Sequence, residues 1–88
     1  MAGNTRGKLK EHFEGVHRNF DWSMHHIQTS LTLITAQLAE TPDMLAVKGD
    51  AEKEEKVLEQ HPVYKGVKKL GQGIQVLDEL AQGIYNKL

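Results

Sequence analysis

Apolar residues recur through the last third of the chain at alternating steps of four and three: Val63, Val67, Leu70, Ile74, Leu77, Ala81, Ile84 and Leu88. Such a heptad keeps one stripe of a helix turned toward a partner helix, and it predicts a helix over about 62–87. A second seam fills the first part of the chain: Leu9, Phe13, Val16, Phe20, Met24, Ile27, Leu31, Ile34 and Leu38. Its one extra four-residue step, between Phe20 and Met24, is a stutter of the kind that locally straightens a supercoil. The pattern predicts a helix over about 6–40, capped by Asn4 or Thr5 and weakened only at Gly15.

Between the seams the periodicity loosens. Thr41-Pro42-Asp43 reads as a helix start, with threonine at the cap, proline in the first turn and an acid at the positive helix end. Met44, Leu45, Val47, Ala51, Val57 and Leu58 form a loose stripe broken at Gly49-Asp50. The expectation is a weakly helical stretch over about 43–60: a short helical turn, then a helix capped by Asp50 with Glu52 and Lys56 as an i,i+4 pair. His61-Pro62 ends it, because the residue before proline is pushed out of helical geometry, and His61 is expected to cap the last helix. The fold class is therefore all-α, a single domain over 1–88. It is a long helical hairpin of the first and last helices with a short acidic middle helix, dimerising into a four-helix-bundle-like assembly.

Two observations point to that association. Trp22, His26 and Leu33 lie on a different side of the first helix from its main seam, and one hairpin partner cannot cover both. Either the middle helix or a second copy of the chain is expected there. In the last helix, Gly66 and Gly73 run with Leu80 at seven-residue spacing beside the main seam, and glycine in a helix implies close approach of a neighbour. These six residues are the expected interface. Phe20, Ile27 and Leu31 are expected to matter for folding, Trp22 and Leu33 for association.

Length and charge sharpen the picture. A chain of 88 residues is marginal as an isolated domain and has no cysteine to staple it, which leaves helix packing or oligomerisation as the source of stability. The net charge of −1 supplies no global field for nucleic acid or an anionic membrane. Seven acids against three lysines between Glu40 and Glu59 make the middle acidic, and Lys65, Lys68 and Lys69 form a basic cluster after it. Arg6, Lys8, Lys10 and Arg18 make the start of the first helix basic, so an alternative reading is a nucleic-acid-associated regulator that contacts phosphates there. The start lacks the apolar core of a signal peptide and no apolar run suits a bilayer, so a cytoplasmic location is expected.

Candidate chemistry is sparse. Glu14 and His17 have the Glu-x-x-His spacing of carboxylate-bridged di-iron bundles, and Asp21 and His25 continue the ridge at four-residue steps. A metal-binding bundle through Glu14, His17, Asp21 and His25 is the second alternative, although the ridge drifts off the apolar seam and the remaining ligands of a di-iron set are missing. No cofactor is expected. His25 and His26 leave the helix in different directions and do not form one ligand pair. Ser23 and Ser30 sit on a helix without a strained nucleophile turn, and Leu70-Gly71-Gln72-Gly73-Ile74 follows no strand and so is no phosphate cradle. The tail Ile74-Gln75-Val76-Leu77-Asp78-Glu79-Leu80, followed by Tyr85, resembles a signature of small helical-hairpin phosphatases acting on sporulation response regulators. Ile74 stands where that signature has serine and Tyr85 falls one residue late, so the activity is not carried over. The expected function is non-enzymatic, by protein–protein interaction: an assembly factor, adaptor or inhibitor, of the size common in phage and mobile-element genomes. Its partners would be itself and one further, unidentified protein.

Overall fold

The computed structural model describes residues 2–88, with side chains from Thr5 onward, and every regular element among them is helical. Helix α1 spans Ala2–Leu38, α2 Pro42–Ala46, α3 Ala51–Glu59 and α4 Pro62–Lys87. The first and last helices lie antiparallel against each other in a rod of 64 × 20 × 17 Å. Among the described residues, no helix is long and apolar enough to cross a membrane.

Helix α1 starts earlier than its pattern implies, so Asn4 and Thr5 lie inside it rather than capping it. Its seam does face α4: from Phe13 to Leu38 every seam residue is at least half-buried, and Ile27 is buried outright. Leu9 is the exception, exposed where α4 runs out. The chain leaves α1 through a turn in which the Thr41 amide donates to the Leu38 carbonyl (3.0 Å). Thr41 occupies the N-cap position of α2, yet its hydroxyl donates backward to Leu38 (2.7 Å) and not into the helix it precedes.

The middle is two short helices that separate at Gly49-Asp50, where the apolar stripe breaks. Gly49 takes a positive φ of 93°, which reverses the chain between them at a conformation glycine adopts without steric cost. Asp50 then caps α3, its carboxylate accepting from the Lys53 amide (3.2 Å). The side chains of Glu52 and Lys56 do not pair; Lys53 approaches Asp50 at 3.9 Å instead, and Glu55 and Glu59 turn to α4. His61 holds the N-cap position of α4 but caps only through its backbone, accepting from the Lys65 amide (3.0 Å). Its Nδ1 is buried with no hydrogen-bond partner.

Met44 of α2, Leu58 of α3 and Tyr64 of α4 form the core cluster, with Leu31, Ile34, Leu38 and Val57 packed around it. The hydrophobic centre therefore sits at the turn end of the hairpin. Toward the other end, α1 and α4 meet through Ile27 and Gly71, and beyond these the pairs His17–Asp78 and Glu14–Tyr85 stand on either side of Ala81 along α4. The face of α4 turned inward is Tyr64, Val67, Gly71, Ile74, Asp78, Ala81, Tyr85 and Leu88. Only half of the expected seam is among these. Val63, Leu70, Leu77 and Ile84 are exposed, because the buried stripe is turned by one position so that tyrosine, glycine and aspartate occupy the places the apolar pattern assigned to valine, leucine and isoleucine. Gly71 suits this register. A Cβ there would lie 3.0 Å from Ile27 Cγ2, so α1 crosses α4 at a position without a side chain.

Candidate interaction surface

Three groups of side chains could carry function: a polar ladder between α1 and α4, an aromatic cluster on α1, and the uncovered apolar stripe of α4. The ladder begins with His17, whose Nδ1 lies 2.8 Å from Asp78 Oδ1, and continues with the Tyr85 hydroxyl donating to Glu14 (3.0 Å). The hydrogen bond to Asp78 holds the His17 pKa above the usual imidazole value, against a smaller opposing desolvation. The Tyr85 hydroxyl is likewise raised, first by its hydrogen bond to Glu14. Glu14, His17, Arg18, Gln82 and Tyr85 line an open cleft of about 360 Å³ beside these contacts.

This ladder consumes half of the expected metal ridge. Glu14 and His17 turn across to α4, whereas Asp21 and His25 border a separate cleft with Arg18 and Trp22. Among the described residues, no three histidine, aspartate or glutamate side chains come together as metal ligands. The serines are occupied as well: Ser23 donates to the Asn19 carbonyl (2.9 Å) and Ser30 to the His26 carbonyl (2.8 Å), each on its own helix. The basic residues of α1 also disperse. Lys10 lies 5.9 Å from the centre of the Tyr85 ring and Arg18 faces the clefts, while Arg6 and Lys8 stand exposed near the start of α1.

At the other end, Lys68 of α4 is clamped by two carboxylates of α3, Glu55 and Glu59, the latter at 2.8 Å. These hydrogen bonds raise the lysine pKa, and the bond from Lys68 lowers that of Glu55. Tyr64 completes the knot by donating to Glu55 (3.0 Å); burial first, then this bond, pushes its hydroxyl pKa up. The basic cluster thus divides. Lys68 fastens α3, and Lys65 and Lys69 remain exposed.

Trp22, His26 and Leu33 are all uncovered, so the middle helices do not pack on that side of α1. Trp22 is 63% exposed and Leu33 65%. The indole stacks on the His26 ring (5.2 Å between centroids, 12° between planes), and His25 meets both rings edge-on. The rings of His25 and His26 therefore come within 5.7 Å although their Cα–Cβ bonds diverge. On α4 the exposed residues Val63, Gly66, Leu70, Gly73, Leu77, Leu80 and Ile84 follow one another at steps of three and four. They form a complete heptad stripe with Val76 on its border, and Leu70 and Leu80 are each about 60% exposed. A Cβ added to Gly66 or Gly73 would meet nothing within 4 Å, so within the chain the close approach falls on Gly71 and not on the two glycines singled out from the sequence.

Sequence reasoning missed the division of α4 into two stripes that share a border. A signal existed: Tyr64, Gly71, Asp78 and Tyr85 are also seven apart, but hydropathy hides a stripe made of such residues. No protein-family model matches this chain, and no curated protein or solved structure matches it.

Proposed function

We propose that this chain works without catalysis, through protein–protein contact, as a small assembly factor, adaptor or inhibitor that self-associates as a homodimer and holds a further protein. One observation carries the reading. A hairpin whose internal seam is already filled leaves large apolar side chains outside on both long helices: Trp22 and Leu33 on α1, and Val63, Leu70, Leu77, Leu80 and Ile84 on α4. Isolated surface leucines need no explanation, but a contiguous stripe of them marks an interaction site. Joining two hairpins through such faces produces an assembly of four long helices, and a two-fold dimer is the commonest way to do so.

The test separates folding from association. Alanine at Phe20, Ile27 or Leu31 should cost about 2–5 kcal/mol of stability, as for buried apolar truncations generally. Alanine at Trp22 or Leu33 should leave the circular dichroism spectrum intact and weaken association or partner capture. Stoichiometric zinc or iron binding that is abolished by Glu14→Ala, His17→Ala and His25→Ala together would overturn this reading in favour of a metal bundle. Binding to heparin or DNA that collapses steeply with added salt would overturn it in favour of a nucleic-acid regulator.

A further inference from the structure

Resting on that reading, we infer that the exposed stripe of α4 is the self-association surface and that it pairs antiparallel with the same stripe of a second copy, with the two-fold axis beside Gly73.

The stripe itself names a helix as its occupant. Three uninterrupted heptads, from Val63 to Ile84, keep a straight line of contact only with another helix that follows the same repeat. Its small residues are unevenly placed along the chain. Gly66 and Gly73 fall in its first part and centre, and Leu77, Leu80 and Ile84 fall in its second part. Antiparallel pairing about Gly73 sets Val63 against Ile84, Gly66 against Leu80 and Leu70 against Leu77 of the other copy. Gly66 of each copy receives Leu80 of the other, and the two Gly73 residues meet at the axis, where the helices approach most closely. Parallel pairing would set glycine on glycine and leucine on leucine, leaving voids at one end and crowding at the other. A self-complementary patch of this kind is what a two-fold interface requires.

The line from Val63 to Ile84 carries no charged side chain; Lys65 and Glu79 share one heptad position behind it, and Lys69 stands on its border. The antiparallel arrangement also opposes the two helix dipoles. The flank of α4 that α3 occupies through Lys68 lies on the far side from the stripe, so the middle helices leave the approach open.

The area is sufficient. At the observed exposures, the six apolar side chains Val63, Leu70, Val76, Leu77, Leu80 and Ile84 present roughly 500–600 Å². With the glycines and flanking residues this approaches the roughly 800 Å² that each partner buries in a standard interface. The aromatic cluster of α1 then remains free for the further protein.

Sedimentation velocity between about 1 and 100 µM should show a dimer, in the range where weak helical associations are populated. Leu77→Glu should raise the dimer dissociation constant about 100-fold or more, because the change enters twice in a two-fold interface. Leu70→Ala, read in the same way, provides a milder change should the glutamate disturb folding. The chain has no cysteine, so engineered ones report orientation. Val63→Cys mixed with Ile84→Cys should give a rapid disulfide-linked heterodimer, with neither variant linking efficiently to itself. Rapid self-linking of Val63→Cys overturns the antiparallel register. A dimer that survives Leu77→Glu and Leu70→Ala but dissolves on Trp22→Ala or Leu33→Ala overturns the inference while leaving the broader reading intact. A monomeric wild type, even one that binds lipid vesicles or another protein through Leu77, overturns the self-association in both.

Discussion

Substituting Gly71 by alanine sets two effects of known sign against each other. Alanine in a helix interior is favoured over glycine by about 0.8–1.0 kcal/mol. Opposing this, the new Cβ would sit 3.0 Å from Ile27 Cγ2, whereas carbon atoms prefer about 3.5–4.0 Å. Ile27 cannot turn the methyl aside, because a β-branched side chain in a helix has essentially one rotamer and this one is buried. The helices must therefore part by about half an ångström, and overpacking of this kind costs about 1–3 kcal/mol. Gly71→Ala should consequently destabilise by about 1 kcal/mol. Gly15→Ala, whose Cβ would meet only the end of Arg18 at 3.9 Å, should stabilise by a similar amount. The decisive background is Ile27→Ala. That change alone costs about 2–5 kcal/mol, but it removes the obstructing methyl, and Gly71→Ala should then become stabilising. Urea titrations followed at 222 nm, at one fixed low-micromolar concentration, give the four stabilities and a coupling of about 2 kcal/mol. If Gly71→Ala stabilises the unmodified chain as much as Gly15→Ala does, α1 and α4 do not cross there and the helix register described above is wrong.

Three further outcomes are expected. Asp78→Asn should bring the His17 pKa back toward 6.5 in an NMR titration. Because the folded-state value is raised, the pair stabilises fully below the unfolded value and fades as pH rises through the folded one. Asp78→Asn should therefore lower stability more at about pH 5.5 than at about pH 8.5, and an equal loss at both would refute the pairing. Asp50→Ala removes the cap on the Lys53 amide and should cost about 1 kcal/mol in thermal or urea unfolding. Leu58→Ala should cost about 2–5 kcal/mol and expose the α3 amides to hydrogen exchange, while alanine at the exposed Leu45 should stay within about 0.5 kcal/mol.

The helices and their pairing were legible because apolar periodicity reports that a helix has a buried side. Which side of α4 faces α1 was not. Val67, Ile74 and Ala81 border both stripes, so a reading by hydropathy picks Val63, Leu70, Leu77 and Ile84 as their companions. The chain instead buries Tyr64, Gly71 and Asp78, for reasons that exist only between elements: Tyr64 joins Met44 and Leu58, Gly71 admits Ile27, and Asp78 meets His17. The separation of Trp22 and Leu33 from the α1 seam was readable from angle alone, since it requires no knowledge of the partner. The caps show the same boundary. Asp50 acts locally and was legible, but Thr41 and His61 share their signals with turns and hold cap positions without using their side chains.

The uneven filling of the α1–α4 seam makes the hairpin a one-ended clasp. At the turn, Met44, Leu58 and Tyr64 bind three helices through contacts that are mostly close in sequence, a low contact order that favours early formation. At the far end the half-buried Phe13, Val16 and Phe20 and the small Ala81 are joined by His17–Asp78 and Tyr85–Glu14, partly exposed polar pairs that water can replace. Opening therefore has a direction. The tips of α1 and α4 separate before the turn does, and amide exchange should slow steadily along each long helix toward residues 31–38 and 62–67. A partner that grips the tips would select a splayed hairpin and draw on the weakest part of the molecule, whereas one that binds beside the turn would meet a rigid body.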